Sequence, residues 1–221
     1  MLKKISIVIS SPDHPINVWI ESWLSLQSTT LQVEIVRNPL KLKGGDLCFL
    51  VSCTDIVPKV VLEKYSHVLV IHASDLPEGR GWSPHIWQII NGGKKVVVSL
   101  IEASEKVDQG DIWEKYSYKI PAYFLYEDIM KIINQAHLDL MSFAINNCDN
   151  VKPKPQKTNV NATYLSRRTP ADSEISAFKS IAEQFKTIRV CDKKRFPSFF
   201  YLHGKKFKVI VERCHDKKNN Y

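Results

Sequence analysis

The sequence is poor in the patterns that mark several large enzyme classes. It has only eight glycines, and none of them builds a complete GxGxxG dinucleotide fingerprint or a GxxxxGK[ST] phosphate loop. Its five cysteines form no CxxC pair, and its seven histidines form neither an HExxH motif nor a Cys/His ligand cluster. NAD chemistry and ATP chemistry therefore have no support in the sequence, and we expect no metal site.

Long apolar runs and a cleavable leader are also missing. No stretch of about eighteen apolar residues could span a bilayer. The first residues have the basic-then-apolar order of a signal peptide, but the apolar run 5–9 is short and lacks a small-residue cleavage site, which is typical of a first β-strand. An odd number of cysteines without a leader indicates reduced thiols. We therefore expect a cytoplasmic protein.

Positive charge is concentrated near the C-terminus. A content of 44% apolar and 24% charged residues is that of a globular protein, with a formal net charge of +8 and a pI of about 9.2. Residues 1–150 carry 14 basic and 17 acidic side chains, whereas residues 151–221 carry 17 basic and 6 acidic ones. An anionic ligand or partner is therefore expected to meet the last third of the chain.

Short apolar, β-branched runs alternate with helical patterns along the first 150 residues. One helical pattern follows Pro15, one begins at Ser83–Pro84, and the longest spans residues 126–147. Strands that alternate with helices indicate an α/β fold with a mostly parallel sheet. The predicted strands cover residues 5–9, 31–36, 47–52, 68–71 and 96–101.

The composition of the sequence changes near residue 150. The polar, proline-bearing stretch 146–155 cannot continue a helix, so we divide the chain into a catalytic domain, 1–150, and a basic C-terminal extension, 151–221. In the extension, Asp172 or Ser173 is expected to cap a helix that carries apolar residues from Ile175 to Ile188. A hairpin with its turn at His203–Gly204 is expected to follow.

Residues 70–84, VIHASDLPEGRGWSP, combine a histidine with prolines, glycines and charged residues. His72 in this stretch follows a predicted buried strand directly. Ligands of open α/β sheets bind at this edge. A second polar stretch, EKVDQGDI at residues 105–112, follows another apolar strand. A histidine and an aspartate meeting there could transfer protons during attack of an amine or water on a carbonyl. The alternative is a solvated acidic turn and a histidine that ends a strand, and spacing alone favours that alternative.

The residues themselves resemble a known family. His72-Ala73-Ser74-Asp75-Leu76-Pro77 with Arg80-Gly81, and Val107 to Ile112, are similar to the HxSLLPxxRG and VDxGDI motifs of the folate-dependent formyltransferases. Pro84, Trp87, Asn91-Gly92 and Val98-Ser99-Leu100 extend the similarity, which is nearly continuous from residue 46 to residue 114. The resemblance implies the Rossmann-like sheet of that family, with a short basic α+β extension, and formyl transfer from 10-formyltetrahydrofolate to an amine.

The C-terminal third bears on the acceptor. The stretch RRTPADSEI at residues 167–175 and RFPSFF at residues 195–200 resemble the tails of formyltransferases that act on nucleotide-linked amino sugars. Methionyl-tRNA formyltransferases share part of this pattern but continue into a further domain for tRNA. Glycinamide ribonucleotide formyltransferases lack the arginine-rich signature. The resemblance thus favours a nucleoside-diphosphate-linked amino-deoxy sugar, such as a dTDP- or UDP-4-amino-4,6-dideoxy sugar, with methionyl-tRNA and glycinamide ribonucleotide as alternatives.

The resemblance also implies catalytic roles. His72 would stabilise the oxyanion and relay protons, and Asp111 would orient His72, or a water beside it, and accept a proton from the amine. The family places an asparagine two residues before the histidine, where this sequence has Val70, which cannot donate a hydrogen bond. Asn17 and Ser52 are the candidate replacements.

Further site residues are implied in the same way. The folate would lie between the loops 75–81 and 105–111, with no metal. The donor site would contain Asp75, Leu76, Pro77, Gly79, Arg80, Gly81, Val107 and Asp108. The acceptor site would contain Ser10, Trp82, Arg167 and Arg168. The resemblance further implies a homodimer that makes sugars for bacterial surface polysaccharides such as O-antigen, without a membrane or nucleic-acid partner.

A hypothesis of another class is a non-catalytic RNA-binding protein that uses the basic extension. The aromatic residues of the extension fall at helical or hairpin spacing, and the sequence has no RNP-like or KH-like motif. Binding to nucleic acid would weaken steeply with salt, whereas stabilisation by one nucleotide-linked sugar would be saturable.

Overall fold

A computed structural model describes residues 2–27, 30–157 and 162–214. Over these residues the chain forms ten strands and five α-helices. The strands are β1 (Lys3–Val8), β2 (Leu31–Val36), β3 (Gly45–Leu50), β4 (Tyr65–His72), β5 (Arg80–Gly81), β6 (Lys95–Glu102), β7 (Ile112–Lys119), β8 (Tyr164–Leu165), β9 (Ser198–Leu202) and β10 (Lys205–Val209). The helices are α1 (Ile16–Leu24), α2 (Lys59–Leu62), α3 (Pro84–Ile90), α4 (Tyr126–Asn147) and α5 (Ile181–Ile188). None of the described helices is long and apolar enough to cross a membrane.

The main sheet has six strands in the order β2-β1-β3-β4-β6-β7. The pairs β1/β2, β1/β3 and β3/β4 are parallel, while β6 pairs antiparallel with β4 and with β7. The predicted α/β fold with a mostly parallel sheet is therefore confirmed. The sequence analysis did not identify β7, because its residues form no apolar run and only Trp113 among them is buried.

Apolar side chains from the central strands form the core beneath α1 and α4. Ile7, Leu47, Phe49 and Leu69 are fully buried, and burying a side chain of this size stabilises the fold by about 1.5–3 kcal/mol relative to leaving it exposed. The apolar periodicity of α4 predicts a buried face of Ile129, Ile132, Ile133, Ala136, Leu140 and Ala144. All of these residues are buried except Ile132, which is only partly buried. The same helix buries two polar residues, Asn134 and His137.

The chain after α4 returns across the edge of the sheet. Lys154 forms an antiparallel bridge with Ile112, and β8 pairs in parallel with β5, so this segment covers the loop that follows His72. Further on, buried Arg189 donates hydrogen bonds to the carbonyls of Phe124 (2.8 Å) and Pro121 (2.6 Å), which join α5 to the start of α4. Whether residues 1–150 form a domain by themselves stays a prediction.

The helix predicted to begin at Asp172 or Ser173 begins later. Residues 170–173 form a single 3₁₀ turn, in which Asp172 accepts hydrogen bonds from the backbone and the hydroxyl of Thr169. Ile175 is extended and donates its N–H to Phe199. The α-helix begins after Ser180, which forms a capping box with Glu183. The hairpin β9–β10 and its turn at His203–Gly204 are confirmed.

Helix α3 carries a partly buried histidine, His85, and helix α4 carries a buried one, His137. His137 is buried and donates Nδ1–H to the Ile133 carbonyl at 2.7 Å, which reaches back one turn along α4. His85 has an Nδ1 atom with neither solvent contact nor a partner. Burial lowers the pKa of both rings, that of His85 to about 3. Both rings are therefore neutral at pH 7.

We predict that these histidines make the fold sensitive to acid. Between pH 6.5 and about 3, the unfolded chain protonates His85 while the folded chain does not, so the free energy of unfolding falls as the pH falls. His85→Asn should therefore lose less thermal stability than the wild type between pH 7 and pH 5. His203→Asn, at an exposed turn position, is the matched control and should keep the wild-type slope; an unchanged slope in His85→Asn would contradict the prediction.

Candidate active site

A cavity of about 740 Å³ opens at the edge where the parallel strands β1, β3 and β4 end. Its volume is that of a site for a small organic ligand, and its position is the one at which α/β sheets bind ligands. Residues 50–57, the end of β4, the loop 101–108, α3 and α4 line it, and the extension adds Arg167, Arg168, Asp192, Arg195 and Phe196.

His72, the last residue of β4, lies on the wall of this cavity. Its Nε2–H donates to the Gly79 carbonyl at 2.8 Å, and its Nδ1 lies 3.5 Å from Oδ1 of Asp108. Both side chains are less than a tenth exposed. A neutral ring that donates from Nε2 leaves its Nδ1 lone pair on the side of this carboxylate.

Asp108 is held by its backbone conformation and by a backbone donor. It has a φ of +56°, a left-handed conformation that aspartate tolerates better than most residues. Its Oδ2 accepts the Gly81 N–H at 2.8 Å, which leaves Oδ1 toward His72. At Gly110, a Cβ atom would lie within bonding distance of the Glu102 carbonyl oxygen, so this turn requires glycine.

The prediction for Asp111 has to be corrected. Asp111 is exposed, and its backbone carbonyl accepts the N–H of Glu102 at 2.9 Å, just before β7 begins. The turn at Gly110 thus gives Asp108, and not Asp111, the place beside His72. Sequence analysis assigned Asp108 to the folate site, and the spacing of the motif did not distinguish its two carboxylates.

Gln156 joins the two loops that build the site, and sequence analysis missed it. Its Nε2 donates to the carbonyls of Asp108 (2.8 Å) and Gly110 (2.9 Å), and its Oε1 accepts from Nη2 of Arg80 at 2.7 Å. Arg80 also donates to the Tyr164 hydroxyl at 3.1 Å. The guanidinium of Arg80, predicted to bind ligand, is thus engaged within the protein and does not line the cavity.

The other predicted donor-site residues divide into two groups. Gly81, Val107 and Asp108 line the cavity, whereas Asp75, Leu76, Pro77 and Gly79 form the loop behind His72 and do not. Leu76 is buried and Asp75 pairs with Lys115 at 2.6 Å, so this loop supports the site from outside.

The predicted acceptor residues Trp82, Arg167 and Arg168 all line the cavity. The Arg167 guanidinium lies 4.9 Å from the centre of the Trp82 ring, and no described residue forms a hydrogen bond or ion pair with it. Arg168 donates to Ser173 Oγ at 2.9 Å. Ser10 does not line the cavity; it bonds to Asp55 and Thr54 at the rim.

Neither candidate replacement for the missing asparagine offers a free donor. Asn17 donates to three backbone carbonyls and accepts from Arg37, which fixes the start of α1. Ser52 lines the cavity but pairs with His14 Nε2 at 3.2 Å. Burial, with Arg195 and His137 nearby, lowers the pKa of His14 to about 4.

Four histidines, at positions 14, 72, 85 and 137, border the cavity. They do not converge as ligands: within residues 2–27, 30–157 and 162–214, no group of three histidine, cysteine or acidic side chains has metal-binding geometry. Nothing in the sequence spacing indicated that α3 and α4 would bring His85 and His137 to one cavity.

Comparisons with known proteins identify relatives of this chain. A family model described as "Formyl transferase" matches residues 7–145. Methionyl-tRNA formyltransferase from Rickettsia bellii is 26% identical over 200 residues, which cover 87% of this chain and 63% of the relative. The same-named protein of Rickettsia prowazekii is 30% identical over 154 residues, 69% of this chain and 50% of the relative. The chain thus spans about half to two thirds of these curated relatives.

Solved structures share the fold at low identity. Methionyl-tRNA formyltransferase from Clostridium thermocellum has a TM-score of 0.80 at 23% identity, covering 98% of this chain and 96% of that one. A 4-N formyltransferase from Francisella tularensis has a TM-score of 0.74 at 19% identity, covering 96% and 98%. HypX from Aquifex aeolicus in complex with tetrahydrofolic acid has a TM-score of 0.77 at 19% identity, covering 93% and 37%. Because the family match spans more than half of its residues, this chain belongs to the formyl transferase family.

Proposed function

We propose that this protein transfers a formyl group from 10-formyltetrahydrofolate to the amine of a nucleoside-diphosphate-linked amino-deoxy sugar. The observation that carries the proposal is the enclosed pair His72–Asp108 on a cavity lined by both apolar side chains and arginines. A neutral amine and a formyl donor could meet at this pair.

The apolar part of the lining suits the folate. It includes Leu50, Val57, Val70, Ile101 and Ala103, which can pack against an aromatic ring, while the adjoining loop backbones offer hydrogen-bonding groups. HypX, solved in complex with tetrahydrofolic acid, has the same fold, which supports a folate donor for this chain. When bound, the folate supplies the formyl carbon; no metal is needed for the transfer.

His72 and Asp108 supply the proton transfer. The acceptor amine must lose a proton as its nitrogen bonds to the formyl carbon. The Nδ1 lone pair of a neutral His72, whose Nε2–H is held by Gly79, can take that proton and deliver it to the folate nitrogen as the bond between that nitrogen and the formyl carbon breaks. Asp108, fixed by the Gly81 N–H, orients the ring and stabilises its protonated form. In this proposal Asp108 takes over the role first assigned to Asp111.

The arginines of the lining suit a diphosphate, and the aromatic rings beside them suit a base. Arg167 stacks on Trp82 and has no acidic partner among the described residues, so its outer edge is free for a phosphate. Arg168 and Phe196 lie on the same wall, with the Arg168 guanidinium 5.9 Å from the ring centre. A homodimer and a role in polysaccharide synthesis stay predictions.

Methionyl-tRNA is the second candidate acceptor. The curated relatives carry that name, and Lys205, Lys206 and Lys208 are exposed on the hairpin β9–β10, where they could meet a phosphate backbone.

We predict that Asp108, and not Asp111, is required for turnover. His72→Asn and Asp108→Asn should each lower kcat by about 10²–10⁴, the usual contribution of an acid–base group. Asparagine tolerates the left-handed conformation at position 108, so folding should be preserved. Asp111→Asn is the matched control and should keep wild-type kcat; the reverse order of the two aspartate variants would refute this assignment.

The acceptor is tested with a panel. Purified protein is assayed with 10-formyltetrahydrofolate and 3- or 4-amino sugars linked to UDP, dTDP or GDP, with methionyl-tRNA and with glycinamide ribonucleotide. We expect saturable transfer to one nucleotide sugar, and Arg167→Ala should raise its KM about tenfold or more because a charge-assisted hydrogen bond is lost. Turnover of methionyl-tRNA alone, with a steep salt dependence, would replace the proposed acceptor.

A further inference from the structure

The buried face of α4 contains an amide that nothing in the protein uses. Asn134 is 5% exposed and lines the cavity beside Ile133 and His137. Among the described residues no group forms a hydrogen bond with its side chain, whereas His72, Asp108 and Arg168 on the same cavity each have a partner. A leucine would satisfy the apolar periodicity of α4 better. The amide is therefore positioned for a ligand.

The chemistry at His72 lacks a hydrogen-bond donor. During acyl transfer, negative charge develops on the formyl oxygen, and preorganised N–H groups stabilise it. The Nε2–H of His72 is occupied by the Gly79 carbonyl, and Asp108 can only accept. Val70, two residues earlier on β4 and on the same side of the strand, borders the cavity with methyl groups alone.

His137 does not supply this donor. Its Nδ1–H is bonded to the Ile133 carbonyl at 2.7 Å, so in the neutral ring Nε2 carries a lone pair and accepts hydrogen bonds. His72 and His137 are close enough for the charge of one to lower the pKa of the other. Asn134, three residues before His137 on the same face of α4, borders the same cavity as His72 and has two N–H groups available.

We propose that Asn134 donates a hydrogen bond from Nδ2 to the oxygen of the formyl group during its transfer, a role that the strand residue Val70 cannot perform. The proposal rests on the proposed formyl transfer and concerns the same site. It makes α4, which carries no part of the sequence motifs, the third element of the catalytic centre after β4 and the loop 107–110.

The test uses the full chain and three variants. Asn134→Ala removes the donor, and Asn146→Ala, at an exposed position of the same helix, is the matched control. The double variant Val70→Asn with Asn134→Ala returns an amide to the same wall from β4. Steady-state kinetics with 10-formyltetrahydrofolate and the acceptor found for the wild type are measured together with thermal unfolding.

Removal of one oxyanion donor typically lowers kcat by about 10²–10³, and we expect that loss in Asn134→Ala with KM, the pH profile and thermal stability near wild type. Asn146→Ala should be unaffected, and the double variant should recover activity by about tenfold or more. Wild-type kcat in Asn134→Ala, or a loss confined to KM or to thermal stability, overturns the proposal. A wild type that formylates no acceptor overturns formyl transfer itself, and is thereby distinguished from a failure of Asn134 alone.

Discussion

The site depends on one buried carboxylate, that of Asp108. A carboxylate withdrawn from water is tolerated only if its oxygens are paired, and here the Gly81 N–H takes one oxygen while the other faces His72. The two oxygens of Asp108 reach these different partners because the backbone at Asp108 is left-handed and because Gly110 approaches Glu102 closely. The loop backbone, more than the side chain alone, therefore fixes which edge of the histidine meets a negative charge.

The same constraint explains why the segment after α4 belongs to the site. The carbonyls of Asp108 and Gly110 in this tight turn need hydrogen-bond donors, and the side-chain amide of Gln156 donates to both. Its oxygen accepts a hydrogen bond from Arg80. The basic extension is thus partly structural: Arg189 pairs with carbonyls and Arg195 with Asp192. Arg167 differs from them, because no described acidic group neutralises it. The charge excess seen in the sequence therefore overstates the number of cations available to a ligand.

Sequence reasoning succeeded where one local rule decides the outcome. Apolar runs gave five strands of the main sheet, and helical periodicity gave α4 to the residue. It failed where two rules compete. Asp172 is a good helix cap by type, but it pairs with Thr169 in a single turn and the helix begins at Ser180 instead. Asp108 and Asp111 lie in one motif, and only the backbone turn between them decides which one is buried.

Asn134, His137 and Gln156 were hidden for a different reason. Asn134 and His137 interrupt an apolar helix face, where an occasional polar residue carries no functional signal by itself. Gln156 lies in a segment rich in lysine and proline. Their positions follow from tertiary packing, because α4 rests on β6, β7 and α1 and so brings its polar pair to the end of β4. If catalysis uses a donor on α4 and a base on β4, the geometry between them is set by the core that separates helix from sheet. A displacement of about 1 Å in such a geometry can cost 10²-fold in rate, so the apolar contacts of Ile133 and Leu140 bear on chemistry as well as on stability.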